Sequence, residues 1–576
     1  MSVPGELERA RQLAFADDHA GAQSLLLSLM PQIVALDRDD LALEVFAQLG
    51  EVYLVRSAYD GVAECVRRIR DCVSVYVQIA ADPSSKDAAL VTLPPDVVDE
   101  MVIRYTRRAD HLEIGLAAAA GDHEAAAAGL ADLIAESDAG VAPSVVEEAL
   151  ELVMRARITC AVALADDDDH VGAEPLWDAV LTVLDEGEQS ARSDHLWVLV
   201  GIGYGRFCVE TGRLQEAEPH LRRAGARAER RGWELASARV LLERSAAAWS
   251  RSDAVETERL ITLAYPVIAR HAIAHDVSRC WLYFGLVRMA AGALEAADEC
   301  WQHAQRHWEE LGRPLHVHRI LLQRSWIDIF RGRYTQARNT IAQARDMLDS
   351  SPRSTWLQYA RLDDLLGSAW RAEALADMGF DGAGDPDEGW RELEERLAGA
   401  RGIVDAAPGS DGYERAMPKF ERAADLKVPA ALAVDSVRYL LGDATARLRW
   451  ATAVSAPVLA GAFAVAWEGG NVPLVAELIE YRCARGTFSA EPNPSMVVDW
   501  EVTATAPTPA TVDVATPAFA AGAAAGASSA LTRLGPLPAL QMDPSGEAVL
   551  ARYRELAQER YGRVITSGEP IWATWP

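Results

Sequence analysis

Between residues 198 and 357, small and apolar residues recur on a fixed step. Gly212, Ser252, Gly292 and Gly332 fall 40 residues apart, and each is followed at +5, +9 and +12 by one pattern: Ala217/Leu221/Ala224, Thr257/Ile261/Ala264, Ala297/Trp301/Ala304 and Ala337/Ile341/Ala344. Those offsets lie on one face of a 3.6-residue helix. Seven residues before each Gly or Ser stands another small residue (Gly205, Ser245, Gly285, Ser325), placed to let a first helix approach a second closely. The segment ARVLLERS (238–245) returns 80 residues later as HRILLQRS (318–325). The pattern predicts four helical hairpins in tandem, residues 198–357, each turning at its Gly or Ser.

The same pattern extends outwards in weaker form. Residues 1–80 carry it as Phe46, Leu49, Gly50 and Tyr53 on a first helix and Val62, Val66 and Ile69 on a second, with residues 5–36 as a capping hairpin. A Pro- and Ser-rich loop at 82–95 precedes less regular hairpins over 96–197, which turn at Gly121 and at the acidic run Asp166–Asp169. Residues 358–489 stay helical without the fixed step. Asn471 is placed to cap the last helix there, with Pro473 tolerated in its first turn. Residues 503–530, almost wholly Ala, Thr, Pro, Gly and Ser, read as a flexible linker, because they offer too little apolar surface to offset the entropy of ordering. The 531–576 tail turns apolar and aromatic again, which suggests a docking segment.

Trp281, Phe284, Gly285, Gly292, Ala297, Trp301 and Ala304 resemble the signature of tetratricopeptide repeats position for position, with a few residues added per repeat. The resemblance implies an all-α, tetratricopeptide-like solenoid of hairpins with a concave groove lined by the first helices. Residues 429–489 and 534–562 resemble the part of actinobacterial tetratricopeptide–CHAT proteins that precedes their caspase-like module. That module's His–Cys dyad has no counterpart here: Cys483 lies in RCARG with no matching His–Gly segment. The resemblance therefore implies a helical arm without a protease, and a separately encoded CHAT-like protease as a partner.

Composition narrows the function classes. The formal charge of −29 argues against a nucleic-acid surface. The run LRRAGARAERR (221–231) is interleaved with Glu and reads as helix surface. Only Lys86, Lys419 and Lys427 are lysines among 56 basic residues, a bias associated with a GC-rich, actinobacterium-like source. No uncharged apolar run of bilayer length stands out, and seven unpatterned cysteines read as reduced thiols; both lead to the expectation of a cytoplasmic protein away from membranes.

Candidate chemistry is sparse. None of the nucleotide-loop, zinc-protease or nucleophile-elbow motifs occurs in a supporting context, so a non-enzymatic protein without cofactors is expected. Cys300, His303 and His307 share a helix stripe and are weak candidates for a metal; without a fourth ligand a structural role is the simpler account. Asp166–Asp169 with His170 reads as an acidic turn. In the tetratricopeptide frame, Arg239, Arg279 and Arg319 edge the groove, over a floor of Leu242, Leu282 and Leu322 with Trp249, Met289 and Trp326. Arginines edging an apolar floor suit a helix or peptide bearing carboxylates. The competing account has these arginines paired with acidic neighbours on a solvated edge. Two other readings remain open: the sensor arm of a signalling or transcription regulator, and a metal- or cysteine-dependent enzyme using the 271–318 histidines.

Overall fold

The computed structural model describes residues 2–82, 91, 93–136, 141–184, 190–271, 274–310, 312–379, 408–440, 448–483, 548–563 and 565. The 503–530 linker, most of the 82–95 loop and residues 531–547 lie outside them. Among the described residues every regular element is helical, which makes the protein an all-α solenoid of tandem hairpins. The chain divides into two compact units: residues 1–290 with 295–312, and residues 291–294 with 313–576. That division falls inside the regular repeats.

In the first unit the helices pair as α1 (Val3–Phe15) with α2 (His19–Leu36), α3 (Asp39–Val55) with α4 (Tyr59–Ala81), α5 (Pro95–Ala120) with α6 (His123–Ala135), and α7 (Pro143–Asp166) with α8 (His170–Val183). Then follow α9 (Ala191–Glu210) with α10 (Leu214–Arg231), α11 (Glu234–Ser250) with α12 (Ala254–His271), and α13 (Ala274–Ala290) before α14 (Leu294–Glu310). The odd-numbered helices α1 to α13 touch in succession and form one continuous layer.

The turns explain the period. Gly212, Gly232, Ser252, Gly292, Gly312 and Gly332 all adopt a left-handed φ, between 61° and 79°. So do Asp17, Asp37 and Ser57. Within each run these positions are 20 residues apart, except between Ser252 and Gly292, which are 40 apart, so the 40-residue repeat consists of two equal helix-plus-turn halves. A left-handed residue after the last helical turn satisfies the terminal carbonyls and reverses the chain, which is why Gly, Asp and Ser recur there. The predicted second-helix face is buried as expected: Ala217, Leu221, Ala224, Thr257, Ile261, Ala264, Ala297, Trp301 and Ala304 have no measurable exposure. Gly285 is needed for close approach, since a Cβ there would stand 2.2 Å from Trp301 Nε1. Trp301 Nε1 itself donates to the Leu282 carbonyl at 3.1 Å.

The second unit contains α15 (Pro314–Phe330), α16 (Tyr334–Asp349), α17 (Trp356–Asp377), α18 (Asp411–Ser436), α19 (Ala456–Glu468), α20 (Val472–Cys483) and α21 (Val549–Tyr561). Here too Ala337, Ile341 and Ala344 on α16 are buried. The buried Lys427 on α18 spends its ammonium on Asp364 Oδ1 at 2.7 Å, Ser368 Oγ at 2.8 Å and the Asp364 carbonyl at 3.0 Å. Asn471 Oδ1 accepts from Leu474 N at 3.1 Å, the cap that the sequence placed there.

One helical stretch among the described residues, Leu448–Glu468, is long and apolar enough to cross a membrane, with Arg449 near one end. This differs from the expectation, from the absence of a long uncharged apolar run, that no stretch spans a bilayer. In the fold this stretch packs on α17 and α18, and its terminal Glu468 takes a hydrogen bond from Arg371 Nε at 2.6 Å.

The described part of the tail is packed in cis. The N–H groups of Val549 and Leu550 donate to the Glu477 carboxylate at 2.8 and 2.7 Å, and Tyr561 Oη donates to Asp363 at 2.7 Å. Leu550, Tyr553, Ala557 and Tyr561 are buried. Helix α21 therefore spends its apolar face within its own unit.

Candidate functional site: the first-helix layer

The layer formed by α1 to α13 is unusual in being stitched by ionisable side chains. Arg108 on α5 donates to two α3 carboxylates, Glu44 at 2.6 Å and Glu51 at 2.9 Å, and Arg155 on α7 reaches the other oxygen of Glu51 at 3.0 Å. Burial works to raise Glu44, yet the guanidiniums of Arg108 and Arg11 outweigh it and hold the carboxyl at about 2. Further along, Arg192 pairs with Glu151 at 3.0 Å and Arg206 with Asp166 at 2.6 Å. Glu44 and Glu51 stay ionised at neutral pH because each gains hydrogen bonds as well as opposite charges, whereas burial pushes Glu151 up.

Three histidines sit in the same layer and behave in the opposite way. Burial, reinforced by Arg155, pushes His111 and His195 down to about 3, and burial pushes His275 down to about 4. All three are neutral at physiological pH.

Two of the three arginines predicted to edge a groove, Arg239 and Arg279, lie in this network. Arg239 on α11 donates through Nε to Asp276 on α13 at 2.7 Å and through Nη1 to Asp17 at 3.0 Å. Arg279 on α13 makes a bidentate pair with the buried Glu243 on α11, with Nη2 at 2.8 Å. Arg319, on α15 of the second unit, is half-buried and also engaged. Arg239 and Arg279 do pair with acidic neighbours, but they are largely buried and bridge neighbouring helices rather than lying on a solvated edge. Leu242 is not a groove residue: its side chain is fully enclosed with Ile261, Ala264 and Val277. Leu282, Trp249 and Met289 in the first unit are half-buried, as are Leu322 and Trp326 in the second, where Trp326 stacks on Phe330.

The metal candidates are dispersed among other tasks. His303 stacks on Trp281 at 4.9 Å and its Nδ1 lies 2.8 Å from Arg306; His307 faces Glu310 at 3.9 Å; Cys300 is half-buried. No group of three potential metal ligands is gathered among the described residues. In the acidic turn, Asp166 pairs with Arg206, Asp167 lies 2.8 Å from His123, Asp168 takes the left-handed turn position and Asp169 caps α8 through Gly172 N. Burial pushes the Cys160 thiol to about 11 and Cys280 to about 12, so neither supplies a thiolate at neutral pH.

Two features escaped the sequence reading. A hollow of about 310 Å³ opens among α1, α3 and α5, lined by Leu7, Arg11, Glu44, Met101, Arg104 and Tyr105. The other is the tip of the first hairpin, which reaches across the layer to α9 and the start of α11. Phe15 stacks on His195 of α9, with ring centroids 4.4 Å apart, and meets Trp233 at the start of α11 edge-on at 6.3 Å. Residues separated by 180 positions or more leave no periodic trace of such a contact.

Fold and layer together define an all-α helical-repeat protein. No protein-family model matches the sequence, and no curated protein is similar to it. Among solved structures the chain is similar to a circular tandem repeat protein with novel repeat topology and enhanced subunit contact surfaces, at 12% identity over 87% of this chain and 95% of that one, with a TM-score of 0.14. Likeness at that level carries no functional argument.

Proposed function

We propose that this chain is a non-enzymatic helical-repeat scaffold, tetratricopeptide-like in its repeats, whose first-helix layer takes a peptide or helical segment of a protein partner. The observation that supports it is the Phe15–Asp17 tip: α9 and α11 already hold a peptide turn through an aromatic stack and a carboxylate–guanidinium bond. The tetratricopeptide–CHAT resemblance makes a separately encoded caspase-like protease a candidate partner. Because α21 is packed in cis, the partner is assigned to the first-helix layer rather than to that helix.

Reversing the charge of Arg239 or Arg279 would break buried pairs, so a gentler test is needed. A photo-crosslinking residue at Trp249 or Met289, on α11 and α13 of the layer, is expected to capture a protein that then binds the purified chain. The same residue at Val255 or Leu263, exposed on the second helix α12, is expected not to. Capture only from α12, or no reconstituted binding, would sink the reading.

A further inference from the structure

The contact between the first hairpin and α9/α11 is made almost entirely by its tip. Helix α1 runs along α2 and α3, and only its C-terminal end meets α9. There Phe15 is buried with Val198, Ala228, Trp233 and Ala236. Asp17, in the left-handed turn position, accepts from Arg239 and lies 3.4 Å from His19 Nε2. His195 and Trp233 meet edge-on at 6.0 Å, so Phe15 enters a corner made by two other rings.

The receiving residues have further partners besides the tip. Trp233, which precedes the first turn of α11, and Ala236 of α11 share a buried cluster with Ala228 of α10; Arg239 is also held through Nε by Asp276, with Nη1 on the Asp17 carboxylate. A ring corner beside a half-committed guanidinium is preorganised for an aromatic side chain and a carboxylate at that separation, so little ordering remains to be done when a ligand arrives.

Building on the scaffold reading, we infer that His195, Trp233 and Arg239 form a recognition seat for an aromatic-X-Asp turn, filled in cis by Phe15-Ala16-Asp17 and opened to a partner peptide of the same chemistry when the hairpin tip withdraws. A seat filled in cis lowers the apparent affinity for an outside peptide by the fraction of time it is open.

The test uses full-length protein and a fluorescent synthetic peptide of residues 8–22. In the variant Phe15→Ala/Asp17→Gly the tip loses its ring and carboxylate, while glycine keeps the left-handed turn. By anisotropy this variant is expected to bind the peptide about tenfold or more tightly than the wild type does. Adding Trp233→Ala, or replacing the peptide's phenylalanine by alanine, is expected to abolish the gain. A variant with native circular dichroism and melting that binds no better than wild type, or binding that survives Trp233→Ala, overturns the seat. Should the variant fail to fold, hydrogen exchange on wild-type protein decides: excess peptide is expected to raise exchange at residues 12–18, and no change overturns the proposal. Crosslinking from Met289 does not involve this seat, so a failed seat with successful crosslinks leaves the scaffold reading standing.

Discussion

Glu243 is a buried carboxylate bonded directly by the guanidinium of Arg279 on α13. Removing Glu243 leaves the largely buried Arg279 charged without its bonded partner. Glu243→Ala is expected to cost about 3–5 kcal/mol of stability, whereas replacing both residues by methionine should recover most of that loss. Chemical denaturation of the three proteins checks it; equal losses for single and double variants would show that the pair is not the unit of stability. Gly285 makes a second case. The close approach to Trp301 leaves no room for a methyl group, so Gly285→Ala is expected to cost about 1–3 kcal/mol through overpacking and to lower the melting temperature. Gly285 was legible from its spacing to Gly292, because small residues at helix crossings repeat with the period of the crossing. Glu243 was not, since a carboxylate in a helix is ordinarily solvated and only the neighbouring helix supplies its arginine.

At the scale of elements, the 20-residue alternation of helix and left-handed turn is local and therefore readable. Helix α21 is different: its sequence announces a helix but not where it packs. Glu477 on α20 accepts from the first N–H groups of α21, which its own helix cannot satisfy. Glu477→Ala is expected to weaken the docking of α21 by about 2 kcal/mol, a charge-assisted pair of hydrogen bonds. Faster hydrogen exchange over residues 549–561, with α17 and α18 unchanged, is the expected readout. Unchanged protection of α21 would mean that its apolar face alone holds it.

At the scale of the whole molecule, acid should act unevenly. His111, His195 and His275 all belong to the first unit and are held neutral, with values of about 3, 3 and 4 against an ordinary 6.5. Between those limits the unfolded chain binds more protons than the folded one, so stability rises with pH there and is lost as pH falls below about 6.5. Glu44, lowered to about 2 from 4.5, acts in the same direction at lower pH: its contribution is present above 4.5 and fades towards 2. Each histidine contributes up to about 1.4 kcal/mol per pH unit over its window. From pH 7 to pH 5, hydrogen exchange corrected for intrinsic rates is expected to lose more protection in α5, α9 and α13 than in α17 and α18. Equal losses in both sets would place the acid sensitivity elsewhere.

The sequence by itself determined the helices, their turns, the buried face of each second helix and the close crossing at Gly285, because all of these depend on residues within about one repeat of each other. Only the tertiary structure decided that Arg239 and Arg279 are spent on Asp276, Asp17 and Glu243, that Leu242 is enclosed, and that Phe15 closes onto Trp233. Helical periodicity fixes which residues share a face, but which charge or ring meets that face depends on how the successive hairpins curl, and that curvature sums small packing differences over the whole unit.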